Sequence, residues 1–242
     1  MCLHGFTGTP FEVEPLANGL SKVGYQTTAP LLAGHGAGWE AMEATRWPDW
    51  FASAEAAFHT LRNRVGGPIS IVGFSMGGLL ALKLALTYPE HIEALALLST
   101  PMRLRPSQVR GIRLLGFLPH QLRFGPLRAI PKWRGSDVSD ASVRQANPCL
   151  PVMPLAGLES LLQIMASMRD QLKQVRAPAL VVHSRQDHTV PIADGFALAD
   201  GLGSSVVERL WLDRSFHLVG VDVESLQVVE TVSAFFGRCK RR

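Results

Sequence analysis

Cysteine is scarce in this chain: Cys2, Cys149 and Cys239 are the only three in 242 residues, an odd number at unrelated spacings. That usage fits reduced thiols better than a disulfide framework, so a cytoplasmic location is expected. Long apolar runs are missing too, and none reaches the ~18 residues that span a bilayer. The opening Met1-Cys2-Leu3-His4-Gly5 lacks the basic and apolar regions of a secretory signal. No Ser/Gly/Pro-rich linker and no internal repeat divides the chain, which argues for one domain carrying an insertion. Hydrophobic residues make up 47% and charged residues 18%, the balance of a core-rich globular protein rather than a disordered one.

Acidic residues are absent from one whole stretch. Between Pro101 and Ser136 there are eight cations (Arg103, Arg105, Arg110, Arg113, Arg123, Arg128, Lys132, Arg134) and no acid. Arg238, Lys240, Arg241 and Arg242 add to the net charge of +4 at the tail. The plainer reading is a solvated, arginine-rich surface; the other is weak contact of the basic insertion with an anionic membrane surface. No nucleic-acid-binding motif accompanies these charges, so nucleic acid is not an expected partner.

What is present is an alternation of strand-like and helical patterns, which predicts a mostly parallel sheet covered on both faces. Strands are expected at Tyr25–Ala29, Ile69–Val72, Ile92–Leu98, Ala179–His183 and Val206–Trp211. Helices are expected at Pro10–Val23, Trp47–Val65, Met76–Tyr88, Ile192–Leu202 and Leu226–Phe236. Residues 101–175 break the alternation with prolines, short apolar groups and a helical run over Leu155–Leu172. They read as a cap inserted between core segments 1–100 and 176–242, where loops on a rigid scaffold build recognition. Within it Leu114, Leu115, Phe117, Leu118, Leu155 and Leu158 either line a pocket or pack as core.

The segment Ile69–Leu80 is the most informative. An apolar strand runs into Gly73-Phe74-Ser75-Met76-Gly77, and a helical run follows at once. A serine on a tight strand-to-helix turn needs neighbours without bulk two residues to either side, which Gly73 and Gly77 supply. The helix start adds a positive dipole and free N–H groups. A serine hydroxyl becomes a nucleophile only when a histidine takes its proton and an acid orients that histidine, in chain order Ser, acid, His. Asp187, a short turn beyond the strand ending at His183, is the expected acid; Asp194 and Asp200 read as solvated helix positions, and Asp213 as a local alternative. His217, beyond the last strand, is the expected base over His35, His59, His91, His120, His183 and His188. His4-Gly5-Phe6-Thr7-Gly8 offers the N–H of Phe6, with that of Met76, as an oxyanion hole.

Taken together, these residues resemble the α/β-hydrolase superfamily, and more closely its small bacterial carboxylesterases and monoacylglycerol lipases. His4–Pro10 looks like that group's oxyanion loop, Leu31–Gly36 like its second loop and Trp47-Pro48-Asp49-Trp50 like the start of its next helix. Gly73–Gly77 looks like its nucleophile elbow, Arg185–Pro191 like its acid turn and Ser215-Phe216-His217 like its histidine loop. The resemblance implies an α/β-hydrolase fold and cleavage of short-to-medium acyl esters or glycerol monoesters, with no cofactor and no metal. Only Met1-Cys2-Leu3 precede the His-Gly motif, too few for the strand that normally carries it, so a sheet without the usual N-terminal strands is expected. An acyltransferase, an amide, thioester or lactone hydrolase with the same residues, and a non-catalytic binding protein of this fold stay open. The acyl length, the alcohol and the oligomeric state are not legible.

Overall fold

The computed structural model describes residues 1–103, 128–133 and 135–240. Five parallel strands form the sheet in the order β1 (Cys2–Leu3), β2 (Ile69–Phe74), β3 (Ile92–Leu98), β6 (Ala179–Ser184) and β7 (Val207–Leu212). Side chains alternate along each strand with a period of two. Leu3, Ile69, Ile71, Leu95, Leu97, Ala179 and Val181 enter one apolar cluster, and Cys2, Val72, Phe74, Ala96, Leu98, Leu180 and Val182 enter the other.

Helices cover both clusters. The first is closed by α2 (Trp39–Glu43), α3 (Trp47–Val65), α4 (Met76–Thr87), α6 (Leu155–Gln171) and α7 (Ile192–Gly201), the second by α1 (Glu14–Lys22) and α8 (Ser225–Cys239). Local chemistry sets the bounds of α3. Arg46 N–H donates to the Asp49 carboxylate at 2.8 Å in a capping box, and Gly66, left-handed at φ 70°, ends the helix. Between these ends Trp50, Ala54, Phe58 and Leu61 recur at helical spacing and are buried, each large apolar side chain contributing roughly 1.5–3 kcal/mol. By contrast α4 is buried nearly all round, in keeping with a sequence that is apolar except for Lys83 and the terminal Thr87.

Three expectations need correction. Tyr25–Ala29 is not a strand; its recorded backbone tie to the sheet is Cys2 N–H to Thr28 O at 2.8 Å, because the neighbouring β1 is two residues long and offers no ladder. Conversely, the first residues do form a strand. Cys2 pairs with Val72 and Leu3 with Gly73, Val72 N–H donates to Met1 O at 2.8 Å, and both side chains are fully buried. Asp194 is buried on α7, where its carboxylate accepts the N–H groups of Met102 (2.8 Å) and Arg103 (2.7 Å).

The stretch after β3 holds a short antiparallel pair, β4 (Ala129–Pro131) with β5 (Val152–Pro154), and α5 (Ala141–Ala146), then α6. The far half of α6 is core: Leu161, Ile164, Met165 and Met168 join the first cluster. Of the eight cations expected on one surface, Arg128 pairs with Glu43 and lies 4.9 Å over the Trp39 ring, and Lys132 bonds to Thr7, so both are engaged within the protein. Arg105, Arg110, Arg113, Arg123, Arg134, Arg241 and Arg242 lie outside the described residues, as do His120, Leu114, Leu115, Phe117 and Leu118. Among the described residues no helix is long and apolar enough to cross a membrane, and no group of three His, Cys, Asp or Glu is placed to hold a metal.

Candidate active site

All five strands run the same way, so their carboxyl ends share one edge, where open α/β sheets place their ligands. Register decides what meets there. Leu3 opposite Gly73 brings the Gly5–Gly8 turn beside Ser75; Ser184 opposite Leu212 brings the Asp187 turn beside the His217 loop. Ser75 caps α4 at φ 52° and ψ −118°, a conformation a residue with a β-carbon adopts only under constraint, and its N–H is held by Leu98 O at 2.8 Å. The flanking glycines are steric necessities. A β-carbon on Gly73 would lie 2.5 Å from Gly77 O, and one on Gly77 would lie 2.3 Å from Leu3 O.

Ser75, His217 and Asp187, the residues expected from sequence, come together. His217 Nε2 lies 3.2 Å from Ser75 Oγ and its Nδ1 lies 2.8 Å from Asp187 Oδ2. With Nδ1–H donated to the carboxylate, Nε2 is left to accept the serine proton. Asp187 is buried, which alone would raise its pKa; His217 and His183 outweigh that and hold the carboxyl well below its usual range. Its other oxygen accepts Thr189 N–H (2.8 Å) and Val190 N–H (2.7 Å). Burial lowers the pKa of His217, but the Asp187 charge and hydrogen bond, with Asp137 and Glu12 nearby, raise it overall.

The competitors fall away on geometry. Asp213 is exposed and pairs with Arg185 at 3.1 Å, and Asp200 pairs with Arg209 at 2.9 Å. His59 meets Tyr88, and His35 packs edge-on to His4 and Trp50. His183 was set aside for ending a strand, yet its Nε2 sits 3.3 Å from Asp187 Oδ2 and 3.1 Å from Val190 O, a second clamp on the acid.

Other supports carry no local sequence signal. The loop before His217 is held by groups from three segments. Glu224 accepts the N–H of Arg214 (3.0 Å) and Ser215 (2.7 Å), and Asp222 that of Phe216 (2.8 Å). Ser99, itself at φ 44°, donates to His217 O at 2.9 Å, and Ser184 donates to Ser215 O. Asp222 also accepts from Ser139 N–H (2.9 Å) and Asp140 N–H (3.1 Å), which ties the inserted segment to the histidine loop. Asp222→Ala would leave several partly buried donors without this acceptor, so a loss of roughly 1–3 kcal/mol is expected in urea unfolding, with reduced turnover in the folded remainder.

Ser75 and His217 open into a cavity of about 1010 Å³. Phe6, Ile130, Met153, Leu158 and Leu161 give it an apolar wall, and Lys132, Arg144, Asp137 and His188 a polar one. Leu158 therefore lines the pocket, while Leu155 is buried beside it as packing. Glu12 also reaches the cavity; burial pushes its pKa up to about 7, against the opposing pull of Gly5 N–H, Lys132, His217 and Asn147. Phe6 sits in the Gly5–Gly8 turn, closed by Gly8 N–H to Gly5 O at 3.2 Å, and Met76 is the first residue of α4, where N–H groups have no partner inside the helix.

Known proteins match this chain along nearly all of its length. The family model Hydrolase_4, described as serine aminopeptidase, S33, matches residues 1–224. A thermostable monoacylglycerol lipase of Bacillus sp. (strain H-257) is 32% identical over 238 residues, covering 98% of this chain and 90% of that protein. A carboxylesterase of Bacillus subtilis (strain 168) is 25% identical over 235 residues, covering 97% and 90%. A solved structure from work on LipS and LipT, two metagenome-derived lipolytic enzymes, superposes with TM-score 0.88 at 32% identity, covering 98% of this chain and 92% of that one. On fold and sequence together, the chain belongs to the serine aminopeptidase S33 family of α/β-hydrolases.

Proposed function

We propose that this carboxylic ester hydrolase cleaves short-to-medium acyl esters and monoacylglycerols through Ser75, His217 and Asp187. Ser75 Oγ attacks the ester carbonyl as its proton passes to His217 Nε2, and the N–H groups of Phe6 and Met76 hold the oxyanion. His217 then protonates the leaving alcohol. A water activated by the same nitrogen hydrolyses the acyl-enzyme, with Asp187 orienting the ring throughout. Residues 101–175 act as a cap, and the acyl chain lies between Phe6, Ile130, Met153 and Leu158. No step calls for a cofactor or a metal.

The observation that carries this reading is the unbroken line Ser75 Oγ, His217 Nε2, His217 Nδ1, Asp187 Oδ2 at 3.2 and 2.8 Å, opening on an apolar-walled cavity. The near-full-length monoacylglycerol lipase and carboxylesterase relatives support the ester class. The family description names a peptidase, so the matching amide is the second substrate to try.

The test is labelling of the purified chain by a fluorophosphonate, followed by a series of p-nitrophenyl and glycerol esters against the matching amide and thioester. Labelling that needs both Ser75 and His217, with the ester turned over far faster than the amide, is the expected result. A chain that ignores the reagent would be a binding protein of this fold, and equal amide turnover would overturn the ester assignment.

A further inference from the structure

The Gly5–Gly8 turn is held in shape by groups from outside it. Thr7, a β-branched residue, is fixed at φ 64° and is almost fully buried, a conformation that residues of its type adopt only when the surroundings impose it. Its hydroxyl donates to Phe6 O at 2.5 Å and accepts from the Lys132 ammonium. Its carbonyl accepts Leu150 N–H at 2.9 Å. Both outside donors come from the same end of the β4–β5 pair: Pro131 is in register with Val152, and Lys132 N–H donates to Pro151 O at 2.9 Å. The pair is thus a bracket with two prongs on one residue. A third support is Glu12, which accepts Gly5 N–H at 2.9 Å within the field of Lys132.

We propose that Lys132 is a positioning residue for catalysis, its ammonium acting through the Thr7 hydroxyl to strap the β4–β5 pair onto the oxyanion turn and hold the Phe6 N–H in its working direction. This rests on the reading of Phe6 as an oxyanion donor. The charge-assisted bond from Lys132 fixes the hydroxyl and the hydroxyl fixes the Phe6 carbonyl, so the Phe6–Thr7 peptide can no longer rotate. The Phe6 N–H belongs to the preceding Gly5–Phe6 peptide, whose carbonyl accepts Gly8 N–H at 3.2 Å; with the planes on both sides of the Phe6 α-carbon held, its direction is set. An N–H aimed at an oxygen that bears charge only in the transition state serves turnover rather than substrate binding. The inserted segment therefore does two things with one contact: it walls the acyl pocket through Ile130 and completes the catalytic turn through Lys132.

The experiment is a double-mutant cycle on Lys132→Met and Thr7→Val, with Thr7→Ser as the conservative variant, read as kcat and KM on a p-nitrophenyl ester. Each single change is expected to lower kcat about tenfold with KM within about twofold, since it loosens one oxyanion donor without removing it. The double mutant should fall little further than either single, because both cut the same strap. Thr7→Ser, which keeps the hydroxyl, should retain most of the turnover, and thermal melts of all four variants identify any loss due to unfolding. Unchanged kcat, additive losses, or a rise confined to KM (which would make Lys132 a substrate contact) each overturn the proposal. Fluorophosphonate labelling of Ser75 run alongside separates the two levels: normal labelling with unchanged kcat in Lys132→Met defeats the strap alone, whereas absent labelling of the unaltered chain defeats the underlying reading.

Discussion

Ser75→Ala will lower kcat for ester hydrolysis by roughly 10⁴-fold or more while leaving the fold in place. The catalytic part of this expectation follows from the geometry of the hydroxyl, which lies 3.2 Å from His217 Nε2 at the mouth of the cavity. Without it no acyl-enzyme forms, and only an unassisted attack by water remains. The structural part follows from what stays behind. Alanine keeps the β-carbon, and the backbone at φ 52° is still held by the N–H bond to Leu98 O and by Gly78 N–H on its own carbonyl at 2.9 Å. Steady-state kinetics with a thermal melt of the same sample checks both halves. Turnover within tenfold of the unaltered chain would remove Ser75 from the mechanism.

The second large effect is expected from Asp187→Asn, a loss of about 10⁴-fold in kcat, near 5.5 kcal/mol of transition-state stabilisation. The surroundings dictate how the asparagine would sit. Thr189 and Val190 both point N–H groups at Oδ1, so the amide oxygen must take that side. Its NH₂ then occupies the place of Oδ2, facing His217 Nδ1 and the His183 Nε2–H. A donor there forces the His217 proton onto Nε2, and that nitrogen can no longer accept from Ser75. Clash with the His183 N–H adds to the cost.

The pH profile gives an independent reading of the same pair. His217 works as a base only when neutral, so the kcat/KM of the unaltered protein should rise with pH through its raised pKa. In Asp187→Asn the acid limb should move to lower pH, because the charge that holds the proton on the ring is gone. Stability runs with the same signs. The depressed Asp187 contributes stability that is present above about pH 3.9, its ordinary value, and is lost as pH falls through the folded one. The raised His217 contributes stability that is complete below about pH 6.5 and is lost as pH rises through its folded value. An acid limb that stays in place in Asp187→Asn would mean that another group sets the histidine's pKa.

How far the site was legible depends on how local its signals are. Ser75 was readable because the elbow needs glycine at 73 and 77 and an apolar strand before them, all within one short segment. Strand Ile92–Leu98 and helix Trp47–Val65 fall where the pattern places them, since period and end signals lie within each element. Tyr25–Ala29 failed for the opposite reason: its pattern suits a strand, but a strand also needs a partner long enough to pair with. Asp194 failed because a carboxylate on a helix reads as solvated unless the peptides that cover it, here those of Met102 and Arg103, are known.

By itself, then, the sequence determined the parallel α/β plan and most of its strands and helices, and it singled out the serine, acid and histidine that the fold brings together, because these follow from periodicity, turn chemistry and order along the chain. Only the tertiary structure decided what supports them. His183 on Asp187, Ser99 under His217, Asp222 between the inserted segment and the histidine loop, and Lys132 on Thr7 join residues 4 to 125 positions apart. Such pairs arise from the register of five strands that end on one edge and from the way the inserted β4–β5 pair docks against that edge, and both are properties of the assembled fold rather than of local pattern.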